Sequence, residues 1–426
     1  MKKLNIKLKK PDFKGLWRHW MTVKKVWRVL TAVCLCLCLA AVCCAAAFKA
    51  AGGTLKSQQA ALRWAGDSGA RYTQVSLFLP DGSGLDKTKI QSFRLKVADS
   101  VKDTTPDTVK NLMTDAWSTT GKVSIAGGHG KSDAAVLAVG GNYFYFHPLD
   151  LASGSYFSDE DLMKDRVLLD EELAWKLYGG SDLAGLTVLI NGTPFVVAGV
   201  VKHEDDFADK AAYTDGAALY MSFDAYNKLL AASAASSASD TTGTDTTGTD
   251  TTGTGTGGQA GTPATGGTAA NTTTPTTAAA TAKAGITCYE AVLPNPVSGF
   301  ASDLVTTELN ADKAGAVVEN SARYTAGNIW KALKNYGQRT MHADTVEYPY
   351  WENAARLVEN RCGLFLLLEL LFWLLPAVFA CVLLVRLYKY LRKKLRDQYL
   401  VLKDRYENRT LFHGMKGSDD DGGTDA

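Results

Sequence analysis

The sequence predicts an α+β domain carried outside the cytoplasm on two transmembrane α-helices. Three observations predict it. Two apolar runs of spanning length lie near opposite ends of a 426-residue chain. Basic residues crowd the outer flank of each run. Between the runs, period-two alternation and helical spacing follow one another, the mark of mixed strands and helices.

Residues 29–48 carry no charge. As a helix they reach about 30 Å, the thickness of a bilayer core. Residues 362–385 form the second run, bracketed by Arg361 and Arg386, with one charge, Glu369. Only helices or closed barrels satisfy their backbone in lipid, and these lengths require helices. Residues 1–28 hold ten Lys/Arg and one acid, and residues 386–396 hold six basic residues and none. Residues 49–361 hold 26 basic and 35 acidic residues, a net of −9. The positive-inside rule therefore places both termini in the cytoplasm and the middle outside. Basic blocks that abut apolar runs do not imply nucleic acid; they imply membrane lipids as partners.

The domains expected are a basic amphipathic tail (1–28), the first span (29–48), an outer domain with stalks (49–361), the second span (362–385), and a basic helix with an acidic tail (386–426). Ala45-Ala46-Ala47 resembles a cleavage site, but the preceding region is long and the apolar core exceeds that of a signal peptide, which favours an uncleaved anchor. Trp17, Trp20 and Trp27, alternating with Lys and Arg, suit a helix in the headgroup region before the chain turns inward.

In the outer region, residues 49–66 read as a helical extension of the first span. Residues 72–79 alternate as a strand. Ile90, Phe93, Val97 and Val101 mark a helix over 87–102. Strands follow at 122–126 and 134–139. An aromatic run, Asn142-Tyr-Phe-Tyr-Phe146, precedes a glycine step from Gly154 to Phe157. A strand and helix over 166–178 end at Gly179-Gly180. Asn191-Gly192 between two apolar strands signals a hairpin. Residues 231–285, built from Ala, Ser, Thr, Gly and Asp, are expected to be a disordered insertion. A strand at 289–293, a helix at 301–309 and a strand at 316–319 return to complete a β-α-β layer. Residues 350–361 extend a second helical stalk into the second span.

The order of the aromatic run, the Gly154–Phe157 step, the Val167–Tyr178 strand and helix, and the Leu186–Val201 hairpin resembles the extracytoplasmic core domain of MacB-type ABC transporter permeases, within the FtsX-like superfamily. The resemblance implies a β-α-β layer with a small inserted α/β subdomain, in the plasma membrane of a bacterium. It implies an outer domain that acts mechanically on ATP-driven motion. The family's permeases have four spans and a cytoplasmic ATPase, and this sequence carries two spans and no ATPase motif. The expectation is a non-catalytic subunit that assembles with other permease subunits and a separate cytoplasmic ABC ATPase. A stand-alone anchored sensor or scaffold is the alternative.

No catalytic residue, cofactor or metal site is expected. Gly130-Lys131-Ser132 lacks the earlier glycine of a phosphate loop, since Ile125 stands there. Glu204, Asp205, Asp206 and Asp209 read as a solvated loop before a cation site. Five cysteines lie in the first apolar run and two in the second, where they act as small hydrophobes, and Cys288 alone falls between. Glu369, about 12 Å into the second span, is the candidate assembly residue, because a charge at that depth is costly. Pro376 is the candidate kink. Arg386, Leu387, Leu391, Arg392, Lys393, Lys394, Leu395 and Arg396 form a candidate cytoplasmic face for a partner helix or anionic lipid.

Overall fold

The computed structural model describes residues 13–67, 70–102, 112–202, 207–212, 219–240, 283–310, 312–338, 342–343 and 346–416. The chain divides into two compact units, residues 52–360 and the terminal segments 1–51 with 361–426.

The terminal unit is a helix pair. Helix α1 runs from Phe13 to Gly52. Its partner is the greater part of a 67-residue helix that starts at Tyr350 and ends at Lys416. Trp27 meets Phe379 with ring centroids 5.4 Å apart, and the Arg386 guanidinium stands 4.3 Å over the Trp27 ring. At the other end, the Cys362 thiol lies 3.8 Å from the Phe48 carbonyl. The pairing is therefore antiparallel. Cys34 and Ala41, seven residues apart on one face of α1, are buried, and small residues permit such close approach. Most of the remaining Leu and Val are exposed, as lipid-facing side chains would be.

The outer unit is built on one mixed ten-stranded sheet. After α1 come a 3-10 turn, Lys56–Gln58, and a short helix α2, Ala60–Ala65. The chain continues through β1 (Tyr72–Phe78), α3 (Lys87–Lys102), β2 (Thr114–Gly127), β3 (Gly130–Gly141) and α4 (Tyr143–Phe146). The inserted part holds β4 (Leu151–Gly154), β5 (Arg166–Asp170), α5 (Glu171–Tyr178), β6 (Thr187–Ile190), β7 (Thr193–Val201), α6 (Phe207–Ala212), β8 (Leu219–Ser222) and α7 (Phe223–Asp240). The return is β9 (Cys288–Pro294), α8 (Phe300–Glu308), β10 (Ala316–Glu319), α9 (Ala326–Lys334), the small hairpin β11 (His342–Ala343) and β12 (Val346–Glu347), and then α10 (Tyr350–Lys416). The sheet order is β10-β1-β9-β2-β3-β8-β5-β7-β4, with β6 bridging β2 and β7.

Strand β9 lies between β1 and β2, antiparallel to both. The insertion therefore interrupts one domain. One sheet face carries α3 and α8, whose Ile90, Phe93, Val97, Val101, Ala301 and Val305 join Val75, Leu77, Ala291 and Leu293 in one core. The other face gathers Phe78, Tyr143, Phe146, Cys288, Val292, Tyr348 and Trp351. Asn191 and Gly192 take φ of 48° and 80°, the left-handed pair a two-residue hairpin requires. Gly179, at φ 73°, closes α5 through its N–H to the Trp175 carbonyl.

Several expectations change. Helix α1 is unbroken from Phe13 through the first apolar run. The first stalk does not continue to residue 66: α1 stops at Gly52, where Gly52-Gly53 offers no side chain to hold another turn. The expected insertion begins as helix, because α7 runs to Asp240 through an alanine-rich stretch of high helix propensity. Residues 241–282 lie outside the described residues. So do Glu204, Asp205 and Asp206; Asp209 is placed on α6. Gly130-Lys131-Ser132 opens β3 of a hairpin with β2, without the strand-to-helix turn that a phosphate loop needs.

Candidate coupling site

The first turns of α10 are fixed to the sheet by a buried ionic cluster. Arg323 follows β10, and Glu352, Arg356 and Glu359 follow one another along α10 at helical intervals. Arg323 Nη1 and Nη2 donate to the two oxygens of Glu352 at 2.6 and 2.7 Å, and its Nε donates to Glu359 at 2.6 Å. This fork geometry suits a planar guanidinium against a carboxylate. Arg356 Nε donates to the same Glu352 at 3.0 Å, and its guanidinium covers the Tyr348 ring at 3.6 Å. Arg323, Glu352 and Glu359 are all buried. Burial disfavours the charge of Arg323, but Glu352 and Glu359 outweigh it and hold the group above its ordinary pKa. Burial likewise opposes ionisation of Glu352, yet Arg323 and Arg356 bring its pKa below the usual value.

A polar chain leads from this cluster into the sheet. The Arg323 N–H donates to the Asn320 carbonyl at 3.2 Å. Asn320 Nδ2 donates to Ser76 Oγ at 2.7 Å, and Ser76 Oγ in turn donates to Glu290 at 2.9 Å. Glu290 pairs with His147 Nε2. The His147 ring lies 4.6 Å from both Tyr143 and Trp351, the latter on α10. Strand β1 also receives the segment after α1. Gln74 Nε2 donates to the Ser57 carbonyl at 2.7 Å, and its Oε1 accepts from the Ala60 N–H at 3.1 Å. The segment that follows α1 and the polar chain that leads from α10 through Arg323 and Asn320 therefore meet on the same strand, β1, next to the β10 edge of the sheet.

A second group, the half-exposed Arg94 with the buried Asp115 and Tyr289, ties α3 to β2 and β9. Arg94 donates to Asp115 through Nε and Nη2 at 2.9 and 2.6 Å, and the Tyr289 hydroxyl donates to it at 2.9 Å. Burial pushes the Tyr289 hydroxyl and the Cys288 thiol well above their ordinary pKa, so neither is an activated nucleophile. Among the described residues, no three His, Cys, Asp or Glu side chains stand together to hold a metal ion. The arrangement is a dry clamp. What it can do is hold geometry: an ion pair stripped of water is expensive to open by halves.

The residues singled out from the sequence lie elsewhere, in the terminal unit. Glu369 is half-buried on α10. Pro376 is inside the same helix, which continues past it. Arg386 rests on Trp27. Leu387, Leu391, Arg392, Lys393, Lys394, Leu395 and Arg396 are exposed. The sequence reading missed Arg323, Glu352, Glu359, His147 and Glu290. The signal available was the spacing of Glu352, Arg356 and Glu359, one charged helix face immediately before an apolar run.

A family model described as the MacB-like periplasmic core domain matches residues 29–284, more than half of the chain. The chain belongs to this family. The MacB-like core thus accounts for the chain from the first span through α7, and the match ends before β9. This is a membrane protein with a large extracytoplasmic domain. The macrolide export ATP-binding/permease protein MacB of Neisseria gonorrhoeae is 33% identical over 75 residues, 17% of this chain and 12% of that protein. The protein of the same name from Chromobacterium violaceum is 35% identical over the same shares. The matched stretch therefore spans 12% of the length of these curated relatives. The periplasmic region of MacB from Actinobacillus actinomycetemcomitans aligns at 16% identity and a TM-score of 0.33, covering 63% of this chain and 94% of that one. The extracellular domain of YknZ, a noncanonic ABC-type transporter from Gram-positive bacteria, aligns at 12% identity and 0.32, covering 58% and 100%.

Proposed function

We propose that this chain is a non-catalytic membrane component of a MacB-type ABC transporter complex, whose outer domain receives and transmits motion through its two membrane-entering segments. The observation that carries this reading is the buried clamp at Arg323, Glu352 and Glu359, continued to Gln74 and Glu290. A domain tethered for display needs no desolvated ion cluster on its entry helix. A domain that must move with that helix needs a joint that does not slip. The motive force would come from a separate cytoplasmic ABC ATPase, with other permease subunits beside it. Both termini are assigned to the cytoplasm by their basic flanks. Impermeant labelling of intact cells should modify a cysteine introduced at Ser158 and spare one introduced at Ser418. Labelling at 418 from outside would reject this topology.

Glu369 is the proposed contact with a neighbouring membrane subunit, and Pro376 a proposed bend in the same helix. The face formed by Arg386, Leu387, Leu391, Arg392, Lys393, Lys394, Leu395 and Arg396 is assigned to a cytoplasmic partner helix or anionic headgroups. The test is purification from native membranes in mild detergent. An ABC ATPase and a permease should accompany the wild-type chain. Glu369→Leu should insert normally, because Leu is favourable at that depth, and should recover several-fold less partner. Recovery of the chain alone would favour the anchored scaffold, and equal recovery by Glu369→Leu would remove Glu369 from the assembly.

A further inference from the structure

Helix α9 follows the clamp directly. Tyr324 sits against Gly52, the last residue of α1, so closely that a Cβ on Gly52 would lie 2.9 Å from it. Its hydroxyl donates to the Ala355 carbonyl on α10 at 3.4 Å. Thr325 then caps α9 by accepting from the Asn328 N–H. Asn328 Nδ2 donates to the Ala322 carbonyl at 2.8 Å, and Ile329 is buried. The helix is therefore pinned in place. Gly52 is four residues beyond Phe48, the last residue of the first apolar run, or about 6 Å of helix rise. Tyr324, two residues before α9, is thus in contact with a residue four positions beyond the first apolar run.

The exposed side of α9 carries Trp330, 43% exposed, followed by Lys331 and Lys334, which are both exposed. Tyr336, 60% exposed, follows. Residues 321–338 contain no acidic residue, inside a region whose net charge is −9. Exposed aromatics beside lysines, in a segment that packs against the residue four positions after the first apolar run, match the composition of interfacial helices. The lysines complement phosphate headgroups.

We propose that α9 lies against the outer leaflet, with Trp330 and Tyr336 at headgroup level and Lys331 and Lys334 on lipid phosphates. This surface is distinct from the basic stretch 386–396. It would give the joint a bearing on the membrane surface, so that movement of the helices is not lost in tilting of the whole domain. It depends on the membrane placement of the chain and not on any ATPase.

The test uses the full chain in nanodiscs of mixed phosphatidylcholine and phosphatidylglycerol. A photoreactive benzoylphenylalanine is placed at position 330, at 334, or, as a control, at the exposed Trp175 of the inserted part. Irradiation should give lipid adducts, read by intact mass, at 330 and 334 but not at 175. Lys331→Glu with Lys334→Glu should reduce the yield at 330 several-fold while leaving the melting temperature unchanged, since both side chains are exposed. Absence of lipid adducts at both 330 and 334, adducts only to protein, or equal lipid labelling at 175 would overturn the proposal. Position 334 keeps the test open if the substitution at 330 disturbs folding.

Discussion

Arg323→Met should lower the stability of the outer unit by about 3–5 kcal/mol, the cost of removing one partner from a buried ion pair. Glu352 and Glu359 would remain buried without their main cation. The triple variant Arg323→Met, Glu352→Met, Glu359→Leu should recover most of that loss, because apolar side chains of similar size fill such a site without desolvation cost. Hydrogen exchange at the amides of β1 and β9, in the detergent-solubilised full chain, measures both. The effect also has a sign in pH. The folded pKa of Glu352 lies below its ordinary value. Its contribution is therefore present above about pH 4.3, the unperturbed value for Glu, and is lost as pH falls through the folded value. In Arg323→Met the Glu352 carboxyl loses its main cation, and burial favours its protonated form. The gap between variant and wild type should accordingly shrink as pH falls toward 4. A gap that is small at neutral pH, or that widens in acid, would show that the cluster does not hold α10.

Parts of this fold were legible because the signals are local. Ile90, Phe93, Val97 and Val101 recur at helical spacing, and all four are buried on α3. Asn191-Gly192 and Gly179 are turn residues with one main backbone use, and each takes the positive φ expected. The β2–β3 hairpin was seen only in its apolar stretches. It extends over Ser118, Thr119, Thr120 and Gly121, whose pairing with β3 no side-chain pattern announces. Strand β1 looked half-exposed by its alternation, yet Gln74 and Ser76 are buried as anchors for the helix-flanking segments. The clamp was illegible for a different reason. Arg323 is 29 residues from Glu352 and 36 from Glu359, and nothing in a charged helix face says which distant cation will cover it. What the sequence does favour is the membrane frame, since spanning length and flanking charge need no tertiary information.

Gly154→Ala should be the most damaging single-methyl change in the inserted part, at about 4 kcal/mol, the range of exceptional point mutants. Gly154 has φ of 78° and pairs with Gly199 across β4 and β7. A Cβ there would lie 2.1 Å from the Ala198 carbonyl oxygen and 2.5 Å from Gly199 Cα. Both are backbone atoms, so no side chain can move aside. Two effects therefore add: the left-handed conformation, about 1–2 kcal/mol for a residue with a Cβ, and displacement of β4 from the sheet. Gly192→Ala separates them. Gly192 has nearly the same φ, 80°, with nothing within 4 Å of its Cβ position, so only the conformational cost of about 1–2 kcal/mol applies. The consequence reaches past the strand. Directly after Gly154, Tyr156 stacks on Phe144 at 4.6 Å and Phe157 meets the same ring at 5.2 Å. Phe144 touches Tyr143, which touches Trp351 on α10. Displacing the step should loosen this aromatic layer as well as β4. Exchange of the β7 amides should accelerate strongly in Gly154→Ala and slightly in Gly192→Ala, with the indole environment of Trp351 altered only in the first. Equal effects of the two substitutions would mean that the close approach of β4 to β7 is not what position 154 requires.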